Sequence, residues 1–253
     1  MAEDDVTPIK IGDGEKRVRI VHVSDTHLHH AEYLKRLPAG DILVHSGDFC
    51  TIGWSRVAKT PDYNEHIRQI NDFFSKVPHK HKIFVAGNHD MAIAGRKQED
   101  VQKMLPEVTY LQDSGITVEG IHFYGSPWTA YNWKSYNRAF VRKWGKFEHH
   151  WNDIPTETDV LVTHIPPFGV QDMRREGFSL FRRRRRGTCD VCSKIHEGLF
   201  HQGCQRLRET ISNRVRPKLH CFGHLHGSSG VKVTEDTTFS NAALSIRVFD
   251  YYV

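Results

Sequence analysis

The chain has 253 residues, 38% hydrophobic and 26% charged, which is enough for a sizeable core and argues against wholesale disorder. No apolar run approaches the ~18 residues of a membrane helix, the acidic start Met1-Ala2-Glu3-Asp4-Asp5 lacks the apolar centre of a secretory leader, and five cysteines do not describe a disulfide framework, so a cytoplasmic or nuclear compartment is expected. The formal net charge of +5 falls to zero without the consecutive arginines Arg182, Arg183, Arg184, Arg185 and Arg186, which argues against a broad nucleic-acid-binding surface; the tract reads first as a solvated loop and, as the alternatives, as a basic patch for an anionic partner, a nuclear-import signal or a contact with an acidic membrane surface.

In chain order, residues 1–16 are polar and carry Gly12 and Gly14, so they read as a flexible tail. From Arg17 onward, short apolar runs each end in a polar cluster. Residues 18–23 precede Ser24-Asp25-Thr26-His27, and residues 42–44 precede His45-Ser46-Gly47-Asp48. Residues 83–85 precede Gly87-Asn88-His89-Asp90, residues 160–162 precede Thr163-His164, and residues 219–222 precede Gly223-His224-Leu225-His226. Runs this short, rich in branched and aromatic residues and bounded by glycine, predict buried strands.

Helices are expected between them. Thr60-Pro61-Asp62 predicts a cap with proline at the first helical position, followed by Ile67, Ile70, Phe74 and Val77 at helical spacing and a stop at Pro78. Residues 98–105 and 205–215 read similarly, residues 117–124 predict a tight hairpin, and residues 231–253 predict further strands. Strands alternating with helices give an α/β class. No internal repeat or linker is visible, so residues 17–253 are expected to form a single domain, with a basic loop insertion at 174–203.

In open α/β sheets, ligands bind beyond the carboxyl ends of strands. Five loops there offer Asp25, His27, Asp48, Asn88, His89, His164, His224 and His226, a set of carboxylate, amide and imidazole without thiolate. Such a set suits manganese, iron or zinc, and two ions ~3.5–4 Å apart can clamp a phosphate and activate a water. A carboxylate is the natural bridge between them, and Asp48 is the candidate. Any one of these histidines alone reads as a packed side chain; their joint appearance at strand ends reverses that reading.

The order D-x-H, GD, GNHD, an isolated His after a strand, then GH-x-H resembles the calcineurin-like metallophosphoesterase superfamily. The longer strings GDILVHSGDF, KIFVAGNHD, YLQDSGITVEGIHFYGSPWT, THIPPFG, RVRPKLHCFGHLHG and FSNAA are similar to the metallophosphoesterase-domain-containing family, often grouped with class III cyclic nucleotide phosphodiesterases. The resemblance implies a four-layer metallophosphoesterase sandwich, two mixed β-sheets flanked by helices. It implies one metal on Asp25, His27, Asp48 and His226, and another on Asp48, Asn88, His164 and His224. His89 would contact the phosphate and protonate the leaving oxygen, with Asp90 orienting its imidazole. Some animal members carry glycine where His224 stands; here the pair is complete, which favours turnover.

Two divalent ions bring four positive charges, of which Asp25, Asp48 and a bridging hydroxide cancel three; the remainder matches a phosphodiester monoanion, though a phosphomonoester would also bind. The resulting expectation is a dinuclear phosphodiesterase that hydrolyses a cyclic nucleotide or similar small diester by attack of that hydroxide. The alternatives are a phosphomonoesterase or protein phosphatase, and a non-catalytic nucleotide-binding scaffold. Asn88, His89 and Trp128 are the candidate substrate contacts. Trp128, Tyr131 and Trp133 can either stack a nucleobase or cap the core. Pro166 and Pro167 stiffen the His164 loop, and Cys50 and Cys221 read as packed thiols. The insertion also holds Cys189, Cys192, His196 and His201, with Cys204 directly after it, donors for zinc at a spacing that matches no common finger.

Overall fold

The computed structural model describes residues 4–51, 62–130, 139–143, 145–175, 189, 195–196 and 199–253. The first sheet contains β1 (Asp5–Ile11), β2 (Arg17–Val23), β3 (Ile42–His45), β4 (His81–Phe84), β5 (Thr109–Tyr110) and β16 (Ile246–Tyr252), in the order β1-β16-β2-β3-β4-β5. The second contains β6 (Ser114–Val118), β7 (Ile121–Ser126), β10 (Val160–Thr163), β13 (Leu219–Phe222), β14 (Gly230–Val233) and β15 (Thr238–Asn241), in the order β14-β15-β13-β10-β7-β6. Both are mixed: β2, β3 and β4 run parallel, as do β7, β10, β13 and β15, while β16 and β6 pair antiparallel to their neighbours β2 and β7. Two short ribbons complete the strands, β8 (Thr129–Ala130) with β9 (Val141–Arg142) and β11 (Met173–Arg175) with β12 (Leu199–His201).

Side-chain alternation along the strands builds the layers. In β2 and β3, Ile20, Ile42 and Val44 face the second sheet, while Val21, Val23 and Leu43 face the helices α1 (His30–Arg36), α2 (Tyr63–Lys76) and α3 (Gln98–Met104). In β10 and β13, Val160, Val162, Leu219 and Cys221 meet the first sheet across the shared core, and Leu161 and Phe222 turn outward to Trp151, Leu207 and Ile211. Leu207 belongs to α4 (Gln205–Thr210), so the order of layers is helix, sheet, sheet, helix. Strands covered on both faces need the near-continuous apolar runs seen in the sequence.

Three expectations are corrected. Residues 5–11 are not a loose tail: β1 pairs in parallel with β16, and Ile11 is buried in the shared core. Pro8 is tolerated because β1 is an edge strand. The helix expected at Pro61 begins at Tyr63, because the Asp62 carboxylate accepts from Asn64 N and Glu65 N and is itself the cap; Thr60 and Pro61 lie outside the described residues. The helix expected over 205–215 is α-helical only to Thr210 and continues as a π-helical turn, Ile211–Val215, closed by left-handed Arg216. The hairpin stands where expected, with Glu119 and Gly120 at the turn between β6 and β7. The arginines at 182–186 lie outside the described residues.

Candidate metal centre

The carboxyl ends of β2, β3 and β4 meet those of β10 and β13 where the two sheets abut, and each strand hands over directly to a donor-bearing turn. The turns are tightly wound. Asp25, His27, Asp48 and His224 all take left-handed backbone, with φ of 55°, 44°, 55° and 69°. Each costs on the order of 1–3 kcal/mol and persists where surrounding contacts over-determine it, a pattern that concentrates at functional sites. Gly47, at φ 108°, lets His164 pass: a Cβ there would strike the imidazole Nδ1. At Gly223 a Cβ would strike Asp25 Oδ2 and Ser24 Oγ.

Backbone and hydroxyl groups then orient each donor. His164 is fully buried, and its Nδ1 lies 3.0 Å from the Ser46 carbonyl on the opposite sheet. A carbonyl only accepts, so Nδ1 carries a proton and Nε2 points into the site. There Nε2 is 3.1 Å from Asn88 Oδ1, 3.2 Å from His224 Nδ1 and 3.3 Å from Asp48 Oδ2. His27 follows the same rule, with Nδ1 3.1 Å from the Cys50 carbonyl and Nε2 3.2 Å from His226 Nε2. Asp25 uses Oδ2 to accept from Ser24 Oγ and His224 N, which leaves Oδ1 at 3.2 Å from His226 Nε2. Asp48 uses Oδ1 to accept from His89 N and turns Oδ2 toward His164 and His89.

Donor atoms of Asp25, His27 and His226 lie within 4.8 Å of one another, as do those of Asp48, His164 and His224 and those of His27, Asp48 and His89. The third group joins the other two through His27 and Asp48. All the sequence-selected donors therefore converge, Asn88 included. Imidazole, carboxylate and amide oxygen without thiolate fit manganese, iron or zinc.

The electrostatics call for a cation. Burial alone would raise Asp25, but the hydrogen bond from His226 and the charge of His164 hold it well below the usual carboxylate range. Asp48 is raised by burial and brought far lower by His164 and His89. Burial lowers His164, yet the facing Asp48 charge lifts it to about 9. His224 is driven down to about 3 by burial and by the neighbouring His164. A pair of buried carboxylates thus draws positive charge onto His164, and a bound divalent ion can replace that proton.

Two sequence expectations change here. Asp90 does not orient the His89 imidazole. It is fully buried, its Oδ1 accepts from Cys50 N, and its Oδ2 accepts from Asp48 N and Gly87 N, so it fastens the GD and GNHD turns to each other. Burial, reinforced by the Asp48 charge, raises its pKa to about 6. Trp128 does not offer an open face to a base: its Nε1 donates to Asp113, His150 stacks on its ring at 4.5 Å, and the Arg142 guanidinium lies 4.7 Å from its centroid. It caps the outer cores of both sheets; Tyr131 and Trp133 lie outside the described residues. Cys50 and Cys221 are packed thiols, both pushed up by burial.

Sequence reasoning passed over Ser24, Ser46 and the Cys50 carbonyl, whose signal was only their adjacency to the donors. It also left Asn241 of the FSNAA string without a role. Asn241 is buried; its Nδ2 donates to the Leu225 and Gln171 carbonyls, and its Oδ1 accepts from Ala243 N, pinning the turn between His224 and His226.

A family model described as calcineurin-like phosphoesterase matches residues 18–228, which include every donor named above. The chain belongs to this family. Membership implies metal-dependent phosphoester hydrolysis. UPF0046 protein C25E10.12 of Caenorhabditis elegans is 36% identical over 244 residues, covering 91% of this chain and 76% of the worm protein. Metallophosphoesterase domain-containing protein 1 of Homo sapiens is 30% identical over 254 residues, covering 89% of this chain and 66% of the human protein, just under two thirds of its length. The solved structure of TT1561 of Thermus thermophilus superposes with a TM-score of 0.55 at 14% identity, covering 90% of each chain, which speaks to the fold alone. Among the described residues, no helix is long and apolar enough to cross a membrane.

Proposed function

We propose that this phosphoesterase holds two divalent ions and hydrolyses a small phosphodiester, a cyclic nucleotide being the leading candidate. The observation that carries the reading is the placement of Asp48, whose side chain belongs at once to the group with His164 and His224 and to the group with His27. Asp25, His27, Asp48 and His226 would hold one ion, and Asp48, Asn88, His164 and His224 the other. The bound ions would supply Lewis-acid activation of a water and neutralisation of the phosphate charge.

The chain's own residues do the rest. Ser46, Cys50 and Ser24 fix the side chains that present the donors, so little reorganisation accompanies the reaction. His89 is partly buried beside the donors, its ring 4.8 Å from that of His27 and its Nε2 3.7 Å from Asp48 Oδ2. From there Nε2 can give a proton to the departing alkoxide oxygen as the P–O bond breaks. Asp25 and Asp48 are the only carboxylates in the three donor groups, since Asp90 is engaged by backbone N–H groups. That charge count suits a diester monoanion over a dianionic monoester.

The test is a panel of bis-p-nitrophenyl phosphate, p-nitrophenyl phosphate and the 2′,3′- and 3′,5′-cyclic nucleotides, each with manganese. Manganese-dependent turnover of the diester above the monoester, with cleavage of at least one cyclic nucleotide, is expected. A monoester preference would redirect the assignment to a phosphatase, and no turnover with any metal would leave a binding protein.

A further inference from the structure

We propose that Cys189, His196 and His201 form a zinc site that shares no ligand with the phosphoester centre. Donor atoms of these three side chains lie within 4.8 Å of one another, and the His196 and His201 rings meet edge to face at 5.2 Å between centroids. One thiolate and two imidazoles are a zinc donor set, and they leave one tetrahedral position for a further donor or solvent. The thiolate sets this group apart from the oxygen- and nitrogen-only donors of the phosphoester centre.

His201 supplies the second, independent observation. Its side chain is 92% buried, being 8% exposed, and among the described residues its Nε2 has no hydrogen-bond partner. Its Nδ1 lies 2.6 Å from Asp172 Oδ1. A carboxylate accepts that N–H, fixes the tautomer and leaves Nε2 as a lone pair, the arrangement of a carboxylate-oriented zinc histidine. Asp172 is itself buried and immobilised, its Oδ2 accepting from Gly169 N and Gly203 N. A buried lone pair held this firmly is explained by an ion on its other side.

The local fold brings the donors together. His201 pairs with Met173 across the β11–β12 ribbon, and His196 precedes β12 by three residues. Cys204, a zinc candidate by sequence, is excluded: it is buried and its sulfur accepts from Leu207 N as the cap of α4. Cys192 lies outside the described residues, and the site rests on the other three. The ribbon is bonded in turn to the turn that carries His226, since Met173 N donates to Ser228 Oγ and Ser228 Oγ to the Met173 carbonyl. Zinc here would tie Cys189, in the middle of the basic insertion, to the C-terminal end of that insertion, beside the phosphoester centre. Binding would release the Cys189 thiol proton to solvent, with both histidines entering as neutral imidazoles.

The experiment is to produce the full chain in cobalt-supplemented medium and record its near-ultraviolet absorption. A thiolate-to-cobalt charge-transfer band cannot come from the thiolate-free phosphoester centre and does not depend on catalysis, so it reads this site whether or not the proposed activity holds. The band is expected in the wild-type protein and should be lost in Cys189→Ser and in His196→Ala, both folded by circular dichroism. Cys189 is only half-buried and the serine is nearly isosteric, so that variant should fold. Absence of the band in the wild type, or its persistence in Cys189→Ser, would overturn the proposal.

Discussion

His89 and the metal donors occupy the same few ångströms yet make different claims on the chemistry. His89→Ala should keep the fold and both ions, because the neighbouring imidazoles and carboxylates are fixed by other groups. Its rate should fall about 10²–10⁴-fold on a substrate with an alkoxide leaving group, the usual scale for a general acid. On bis-p-nitrophenyl phosphate the loss should be smaller, since p-nitrophenolate leaves with little protonation. Equal losses on both leaving groups would remove the acid role from His89. The residue scale is also where the sequence was most and least informative. The donors were legible because carboxylate, amide and imidazole recur at strand ends. The role of Asp90 was not, because an acidic residue beside a histidine reads as its partner until the backbone shows three N–H groups claiming both oxygens.

At the level of turns and loops, the site depends on how closely the strand ends approach. Gly223→Ala should place a methyl against Asp25 Oδ2 and Ser24 Oγ and weaken manganese binding by roughly 10–100-fold, the scale of lost supporting contacts. Gly227→Ala, where nothing lies within 4 Å of the added carbon, is the control and should bind normally in the same titration. The arginine tract supplies no donor. Deleting Arg182, Arg183, Arg184, Arg185 and Arg186 together should leave turnover of a chromogenic diester within a few-fold at moderate salt. Loss of most activity with metal content intact would give the tract a place in the site. The strands were legible as elements because burial on both faces demands unbroken apolar runs. The β1 edge strand was not, because only Ile11 of its seven residues is buried and its pairing is made by backbone.

Across the whole molecule, buried histidine pairs lie beneath the site, one of them bridging the two sheets, and they set its acid stability. His22 bonds to Ser240 on the second sheet and Ser46 on the first, His45 to Thr26, and His220 to Thr163, all fully buried. Burial pushes His22 well below its ordinary value, and His45 and His220 each to about 3. A histidine lowered on folding contributes stability that is present above its unfolded pKa of about 6.5 and is lost as pH falls toward the folded value. Urea midpoints measured with a chelator present should therefore be higher at pH 7 than at pH 4, falling steadily between them. An unchanged midpoint over that interval would mean that these histidines are already charged in the folded protein.

The central claim is that Asp48 joins two metal positions, and electron paramagnetic resonance of the manganese-loaded protein tests it most directly. Two ions sharing a carboxylate oxygen couple by exchange, whereas ions at separate sites give the spectrum of isolated manganese, and an ion on the Cys189 thiolate, which shares no ligand with this pair, does not alter this distinction. The account predicts an exchange-coupled pair in the wild-type protein. In His224→Gly it predicts a single isolated ion, with manganese per chain falling from about two toward one and partial recovery at high manganese. A wild-type protein that binds two manganese ions and shows only the isolated-ion spectrum would contradict it.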